Sequence, residues 1–178
     1  MLAFFQGNRF LLRDLVTHVT DRVPVGAQLL DLYAGVGLFA VAAAVLRGAQ
    51  VTAIEGDAPA AADLHANSAA AGGRMATLRA PVEQAGSLLG AAMGRAAGDA
   101  RVETIVVDPP RTGMSPEALA GMLMLQASRV IYVSCDVATL ARDARKIVDA
   151  GYTIERADAF DMFPNTPHVE TVVVFAKS

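Results

Sequence analysis

The residues best equipped for chemistry stand where one kind of element hands over to another. Cys135, the only cysteine among 178 residues, follows the apolar run Val130-Ile131-Tyr132-Val133, which reads as a buried strand. The strand stops at Ser134 and Cys135, and Asp136 reads as the N-cap of a helix carrying Leu140, Ile147 and Val148 on one face. A thiol beside helix N–H groups has its thiolate favoured over the usual pKa of about 8.5. A lone cysteine is ordinarily a small buried hydrophobe. Its position argues instead for a nucleophile, because open α/β sheets bind ligands outside the carboxyl ends of their strands.

A second constellation lies upstream. Gly35-Val36-Gly37-Leu38-Phe39-Ala40 fits Gly-x-Gly-x-x-Ala, after one strand and opening a helix. There glycines let backbone approach a ligand and the helix end favours polar or negative groups. Glu55 closes the next strand about 20 residues on, where a carboxylate can accept hydrogen bonds from both ribose hydroxyls. These features alone suit a nicotinamide cofactor and S-adenosylmethionine about equally, and glycines used only for a tight turn are the plain structural alternative. Asp31 stands four residues before the first glycine, placed to face the ammonium of an amino-acid ligand that lacks phosphate. Asp108 is a second acid at a strand end. A pyrophosphate is poorly served by that much negative charge, whereas a sulfonium bearing an ammonium tolerates it.

Asp108-Pro109-Pro110-Arg111 forms a third signal. Two prolines fix φ near −65° and remove two backbone donors, giving a rigid turn directly after a strand. Enzymes that methylate exocyclic amines use a related turn ending in an aromatic ring. Arg111 takes that place here, which weakens an amine-methylation reading and leaves a loop corner as the plain alternative.

The elements that must position these residues alternate along the chain. An amphipathic helix is expected over Arg9–Arg22, then strand Gln28–Leu32, helix Leu38–Leu46 and strand Gln50–Glu55. An alanine-rich helix from about Pro59 to Ala71 ends at Gly72-Gly73, followed by a weak strand over Ala76–Arg79 and a small-residue helix within Val82–Met93. Residues 94–101 read as a loop and Glu103–Val107 as strand. Ser115-Pro116 opens another helix, with serine as cap and proline at its first position. Strands at Tyr152–Phe160 and Val169–Phe175 finish the chain, joined through Pro164, Pro167 and His168. This order describes an α/β doubly wound sheet with an antiparallel edge element.

Bulk composition bounds the function. One domain of 18.5 kDa is long enough for a full core. A formal charge of −3 and a pI near 5.5 argue against strong nucleic-acid binding by these residues alone. One cysteine excludes an internal disulfide and fits a reducing compartment. Met1 is followed by Phe4, Phe5, Gln6 and Asn8 rather than a basic region and apolar core, so no secretory leader is expected. The longest apolar run, ending at Leu46, falls far short of the ~20 residues that span a bilayer. The expectation is a cytoplasmic domain with no membrane association.

Taken together, these motifs resemble the catalytic domain of the uracil-5 RNA methyltransferases, which make 5-methyluridine in tRNA and ribosomal RNA. The resemblance runs the length of the chain: Phe5-Gln6-x-Asn8, Asp31-x-Tyr33-x-Gly35-x-Gly37, Glu55, Asp108-Pro109-Pro110-Arg111-x-Gly113 and Val133-Ser134-Cys135-Asp136-x-x-Thr139-Leu140-Ala141-Arg142-Asp143. It closes with Asp161-x-Phe163-Pro164-x-Thr166-x-His168-Val169-Glu170. It implies a Rossmann-like methyltransferase fold, with a mostly parallel seven-stranded sheet, an antiparallel C-terminal strand and helices on both faces. Cys135 would then be the nucleophile and Glu170 the base. Gln6, Asp31, Tyr33, Gly35, Gly37, Glu55 and Asp108 would bind or flank S-adenosyl-L-methionine, with Arg111 and Asp108 toward an RNA substrate and no metal involved.

Some positions depart from that family pattern. Asp136-Val137 replaces a common Asn-Pro, Leu38 stands where a polar residue is usual, and Ala80-Pro81 follows the third strand where a polar or acidic residue often lies. The family's N-terminal RNA-binding β-barrel, sometimes with an iron–sulfur cluster, is not recognisable, so residues 1–178 are expected to be one methyltransferase catalytic domain of a longer protein. A nicotinamide-dependent oxidoreductase, and a cofactor-binding domain without activity by itself, are the competing readings.

Overall fold

A computed structural model describes residues 8–93 and 101–177. Gln6 and the expected loop over residues 94–100 lie outside them. Among the described residues, seven strands form one sheet: β1 (Gln28–Leu32), β2 (Gln50–Glu55), β3 (Met75–Arg79), β4 (Thr104–Val107), β5 (Arg129–Ser134), β6 (Tyr152–Phe160) and β7 (Glu170–Lys177). Their spatial order is β3-β2-β1-β4-β5-β7-β6. All neighbouring pairs are parallel except β5–β7 and β6–β7. The order reverses between β1 and β4, which opens a crevice beyond their carboxyl ends.

Six α-helices among the described residues cover the two faces: α1 (Arg9–Thr20), α2 (Leu38–Leu46), α3 (Ala58–Asn67), α4 (Ala85–Met93), α5 (Pro116–Met124) and α6 (Val137–Asp149). Leu15 and Val19 of α1, Phe39, Ala40, Ala43 and Ala44 of α2 and Leu64 of α3 pack with Leu29, Val51, Ala53, Val106, Ile131, Val133 and Val172. On the opposite face, Leu89 of α4, Leu119 and Met122 of α5 and Leu140 and Ile147 of α6 pack with Leu30, Leu32, Ile54, Ile105, Val107, Val130, Tyr132 and Val173. Successive strand residues thus alternate between two apolar layers, as a sheet buried on both sides requires.

The expected elements are all present, with shifts at their ends. The alanine-rich helix divides into α3 and a 3₁₀ turn over Ser68–Ala71, and a second 3₁₀ turn over Val82–Gln84 precedes α4. Ser115 caps α5 by accepting from the Ala118 N–H, and Asp136 caps α6 by accepting from the Thr139 N–H. One helix face departs from expectation. Leu140 and Ile147 are buried, but Val148 is exposed and the third buried position of α6 is Asp143. No helix among the described residues is long and apolar enough to cross a membrane.

Asn8 ties the first helix to the far end of the sheet. Its Oδ1 accepts from the Phe10 N–H at 3.0 Å, capping α1, while its Nδ2 donates to the Asp161 carbonyl at 3.0 Å. The β6–β7 connection is thereby held beside the start of the chain. Asn8→Ala should lower stability by about 1 kcal/mol, the usual cost of a lost cap, read as a lower urea midpoint. Asn8→Asp, which keeps the capping oxygen but sets a second oxygen against the Asp161 carbonyl, should recover only part of that loss.

Candidate functional site

Parallel β1, β2, β4 and β5 all present their carboxyl ends at one edge of the sheet, and antiparallel β7 brings its amino end to the same edge. Pairing of β5 with β7 runs from Arg129 opposite Ala176 to Ser134 opposite Thr171. The next position along that ladder sets Cys135 opposite Glu170. The sheet's alternation assigns both to the face covered by α1–α3, because Val133 and Val172 belong to that layer. Asp31 and Glu55 lie on the same face, two residues beyond Leu29 and Ala53. Asp108, one residue past β4, follows Val106 on that side. These five residues are far apart in sequence, and strand order and register alone assemble them into one row.

Burial sets the electrostatics of this carboxylate row. Glu170 is 1% exposed, and desolvation raises its pKa to about 7. A carboxylate that opens a late strand ordinarily faces solvent, so its burial is a property of this fold. Asp31 is also 1% exposed, and burial pushes it up to about 8. The Ala40 N–H opposes that shift and the Glu55 charge adds to it. Asp108 is raised well above the carboxylate range by burial first, then by the Glu170 and Asp31 charges. The Ala40 N–H lies near Asp31 without good hydrogen-bond geometry, so both Asp31 oxygens, and Oε1 of Glu170, make no well-formed hydrogen bond within the protein. Buried acids without donors are costly. A ligand that brings a cation or donor to them would relieve that cost.

The glycine turn is built against this row. Gly35 has φ 55° and donates its N–H to Glu55 Oε2 at 2.8 Å, while the Asp57 N–H donates to Glu55 Oε1 at 2.7 Å. Each Glu55 oxygen keeps lone-pair capacity for a further donor. Gly37 has φ 96°, and a Cβ there would meet Leu64 Cδ1 at 2.9 Å and Val41 Cγ2 at 3.1 Å. Only glycine lets α2 begin so close to the turn. Tyr33 adopts φ 59°, which is strained for a side chain of this size. Its ring packs toward the α4–α6 layer, and burial, then the Glu83 and Asp143 charges, raises its hydroxyl to about 12.

The remaining expected site residues are placed as follows. Cys135 is partly exposed, directly before the Asp136 cap. Arg111 is exposed, and its charge acts on Asp136. Gln6 lies outside the described residues, and the cap of α1 is Asn8 rather than Gln6. Met122 is buried in the α5 packing whereas Met124 is 80% exposed. Asp143 was legible only as part of a motif, although an acid spaced three residues from Leu140 and four from Ile147 already signals a charge on an apolar helix face. Among the described residues, no cluster of three or more His, Cys, Asp or Glu side chains is arranged to hold a metal.

Residues 2–178 match the model of the tRNA (Uracil-5-)-methyltransferase family. The chain belongs to this family. An uncharacterized RNA methyltransferase of Thermotoga maritima is 36% identical over 177 residues, covering 98% of this chain and 38% of that protein. The tRNA (uracil(54)-C(5))-methyltransferase of Pyrococcus horikoshii is 32% identical over 170 residues, covering 96% of this chain and 38% of its own length. A crystal structure of the Pyrococcus abyssi tRNA (uracil-54, C5)-methyltransferase in complex with S-adenosyl-L-homocysteine superposes with a TM-score of 0.78 at 29% identity, over 98% of this chain and 40% of that one. The chain therefore spans about two fifths of the length of these relatives. Membership of a methyltransferase family decides against the nicotinamide reading.

The buried acids make stability depend on pH. Their folded pKa values lie above the unfolded value of 3.8, so the folded chain holds protons that the unfolded chain has released. Stability of the ligand-free chain should fall as pH rises from about 4 through about 8. Thermal unfolding at pH 5 and pH 8 measures the slope, and Asp31→Asn should flatten it.

Proposed function

We propose that this chain transfers a methyl group from S-adenosyl-L-methionine to C5 of a uridine in RNA, with Cys135 as nucleophile and Glu170 as base. The observation that carries the reading is the β5–β7 register, which sets the single thiol opposite a buried carboxylate in the strand-end crevice. Relatives whose names specify uracil C5 methylation of RNA support the substrate class.

The residues present fit the methyl donor. Asp31 offers two unpartnered oxygens to an ammonium, Glu55 offers lone pairs to ribose hydroxyls, and Gly35 and Gly37 leave the backbone open to close approach. When bound, the donor supplies an electrophilic methyl on a sulfonium. C5 of uracil is too poor a nucleophile to take that methyl unaided. Attack of the Cys135 thiolate on C6 forms a carbon–sulfur bond and leaves the ring as an enolate nucleophilic at C5, so one hard step becomes two easier ones. After C5 has gained the methyl, Glu170 removes the C5 proton. The ring electrons re-form the C5–C6 double bond and expel the thiolate. A pKa of about 7 suits a general base near neutrality. Asp108 lies between the donor-side acids and Glu170, beside the uracil edge, and Arg111 meets a phosphate or the extruded base. A uridine within a stem or loop must leave its stack, at a few kcal/mol.

Two measurements test this reading. Wild-type chain with methyl-labelled donor and a tRNA or 23S rRNA transcript should place label at uridine C5, slowly, because the net charge of −3 gives little grip on RNA. Cys135→Ala should abolish transfer. Glu170→Gln should slow it by about 10²–10⁴-fold and accumulate a denaturant-stable chain–RNA adduct. Label transfer that survives Cys135→Ala would overturn the mechanism.

The donor pocket has its own signature. An ammonium brought against Asp31 lowers a carboxyl that sits at about 8, so binding of S-adenosylhomocysteine at pH 7 should release protons. Calorimetry in two buffers of different ionisation enthalpy should then give different heats, and Asp31→Asn should remove the difference.

A further inference from the structure

The loop that carries Asp108 and Arg111 is fastened to the helix that follows Cys135. Asp143 of α6 is fully buried, and its carboxylate accepts from the Met114 N–H at 2.9 Å, the Tyr132 hydroxyl at 2.7 Å and the Arg142 guanidinium at 2.8 and 2.9 Å. Arg142 Nη2 donates onward to the carbonyls of Thr112 and Met114 at 3.1 and 3.2 Å. One turn earlier, Thr139 Oγ1 donates to the Arg111 carbonyl at 3.1 Å. Gly113 has φ 74°, and a Cβ there would lie 2.5 Å from Arg142 Nη2 and 2.7 Å from Asp143 Oδ2. The loop and the helix are thus in contact at a spot where no side chain fits.

We infer that Thr139, Arg142 and Asp143 are positioning residues that lock the Asp108–Met114 loop and the Cys135 loop into one rigid unit. The inference rests on the proposed methyl transfer for its catalytic consequence, but the clamp itself is independent of it. Loops at strand ends are ordinarily the least stable parts of a fold. Here a desolvated carboxylate with all its donors in place ties one loop down, and Tyr132 anchors that carboxylate to β5, three residues before Cys135. Arg111 is held where its guanidinium acts on Asp136, the residue after the thiol. The uracil edge and the C6-attacking sulfur are therefore held by elements that cannot move apart without breaking buried hydrogen bonds.

Thr139→Val and Asp143→Asn test the clamp, with Thr139→Ser as the conservative control. Both should unfold cooperatively and bind S-adenosylhomocysteine within about twofold of the parent, since Asp31 and Glu55 stand on β1 and β2 and Gly35 and Gly37 lie in the turn between β1 and α2, away from the clamp. Amide exchange over residues 111–114 should be about tenfold faster, and single-turnover methylation of a tRNA transcript about tenfold slower, the factor one ordinary hydrogen bond carries. Thr139→Ser should match the parent in both. Faster exchange with unchanged transfer would make the contact merely structural, and a parallel loss of S-adenosylhomocysteine affinity would make the defect general; either overturns the inference. A parent that methylates no transcript defeats the proposed function instead. The clamp is then decided by iodoacetamide alkylation of Cys135, the only thiol, whose rate should differ from the parent in Thr139→Val and not in Thr139→Ser; equal rates in all three overturn it.

Discussion

The hydrogen-bond register between β5 and β7 is the constraint on which the site depends. β5 runs with β4 and ends at the crevice, whereas β7 runs against it and begins there. A slip of one residue would exchange Val172 and Val174 with Val173 and Phe175 between the two apolar layers and carry Glu170 to the opposite face. The unequal sizes of the two sets, valines on one face and Phe175 on the other, resist that slip, because each layer is packed around its own side chains. The same forces that close the core therefore aim the carboxylate. No local feature around residue 170 has to specify its direction.

A row of acids in a dry crevice works against folding. Asp31, Asp108 and Glu170 are all raised above their ordinary values, first of all by burial, and the charges of Glu170 and Asp31 add to the cost of ionising Asp108. Such a cluster is tolerated because the apolar layers on both faces are extensive, and because the acids lie at the one edge where ligand groups can reach them. Glu55 shows the contrast: its two oxygens accept backbone N–H groups and fix the glycine turn. Asp143 shows it again, as a buried acid whose donors are all supplied by the protein. Glu55 and Asp143 are satisfied by groups of the protein, whereas Asp31 and Oε1 of Glu170 are left without well-formed hydrogen bonds within it.

Element types were largely legible because the central strands of a doubly covered sheet are short apolar runs, and because α5 and α6 open on the capping side chains of Ser115 and Asp136. β1, β2 and α2 begin and end where hydrophobic periodicity places them. The first helix was less legible at its start: the cap is Asn8, whose second hydrogen bond reaches Asp161 across the fold. In α6 the pattern Leu140, Ile147, Val148 was misleading. Val148 lies at the border of the stripe, and Asp143 takes the inward position because Tyr132 and Met114 supply donors from other elements. A polar residue on a buried face cannot be ranked from its own helix alone.

The sequence by itself determined which chemical groups are available and at which kind of junction each one sits. A thiol precedes a helix cap, glycines follow a strand, a proline-stiffened acid ends another strand, and the match across residues 2–178 places the chain in its family. Those are local facts, readable from caps, turns and periodicity. Only the tertiary structure decided that Cys135 and Glu170 share an edge, that Asp31, Asp108 and Glu170 lie in one desolvated row, and that Asp143 fastens two loops together. The physical reason is that strand order, strand direction and burial are properties of pairing between distant segments, and desolvation acts on a side chain only once those segments have closed around it.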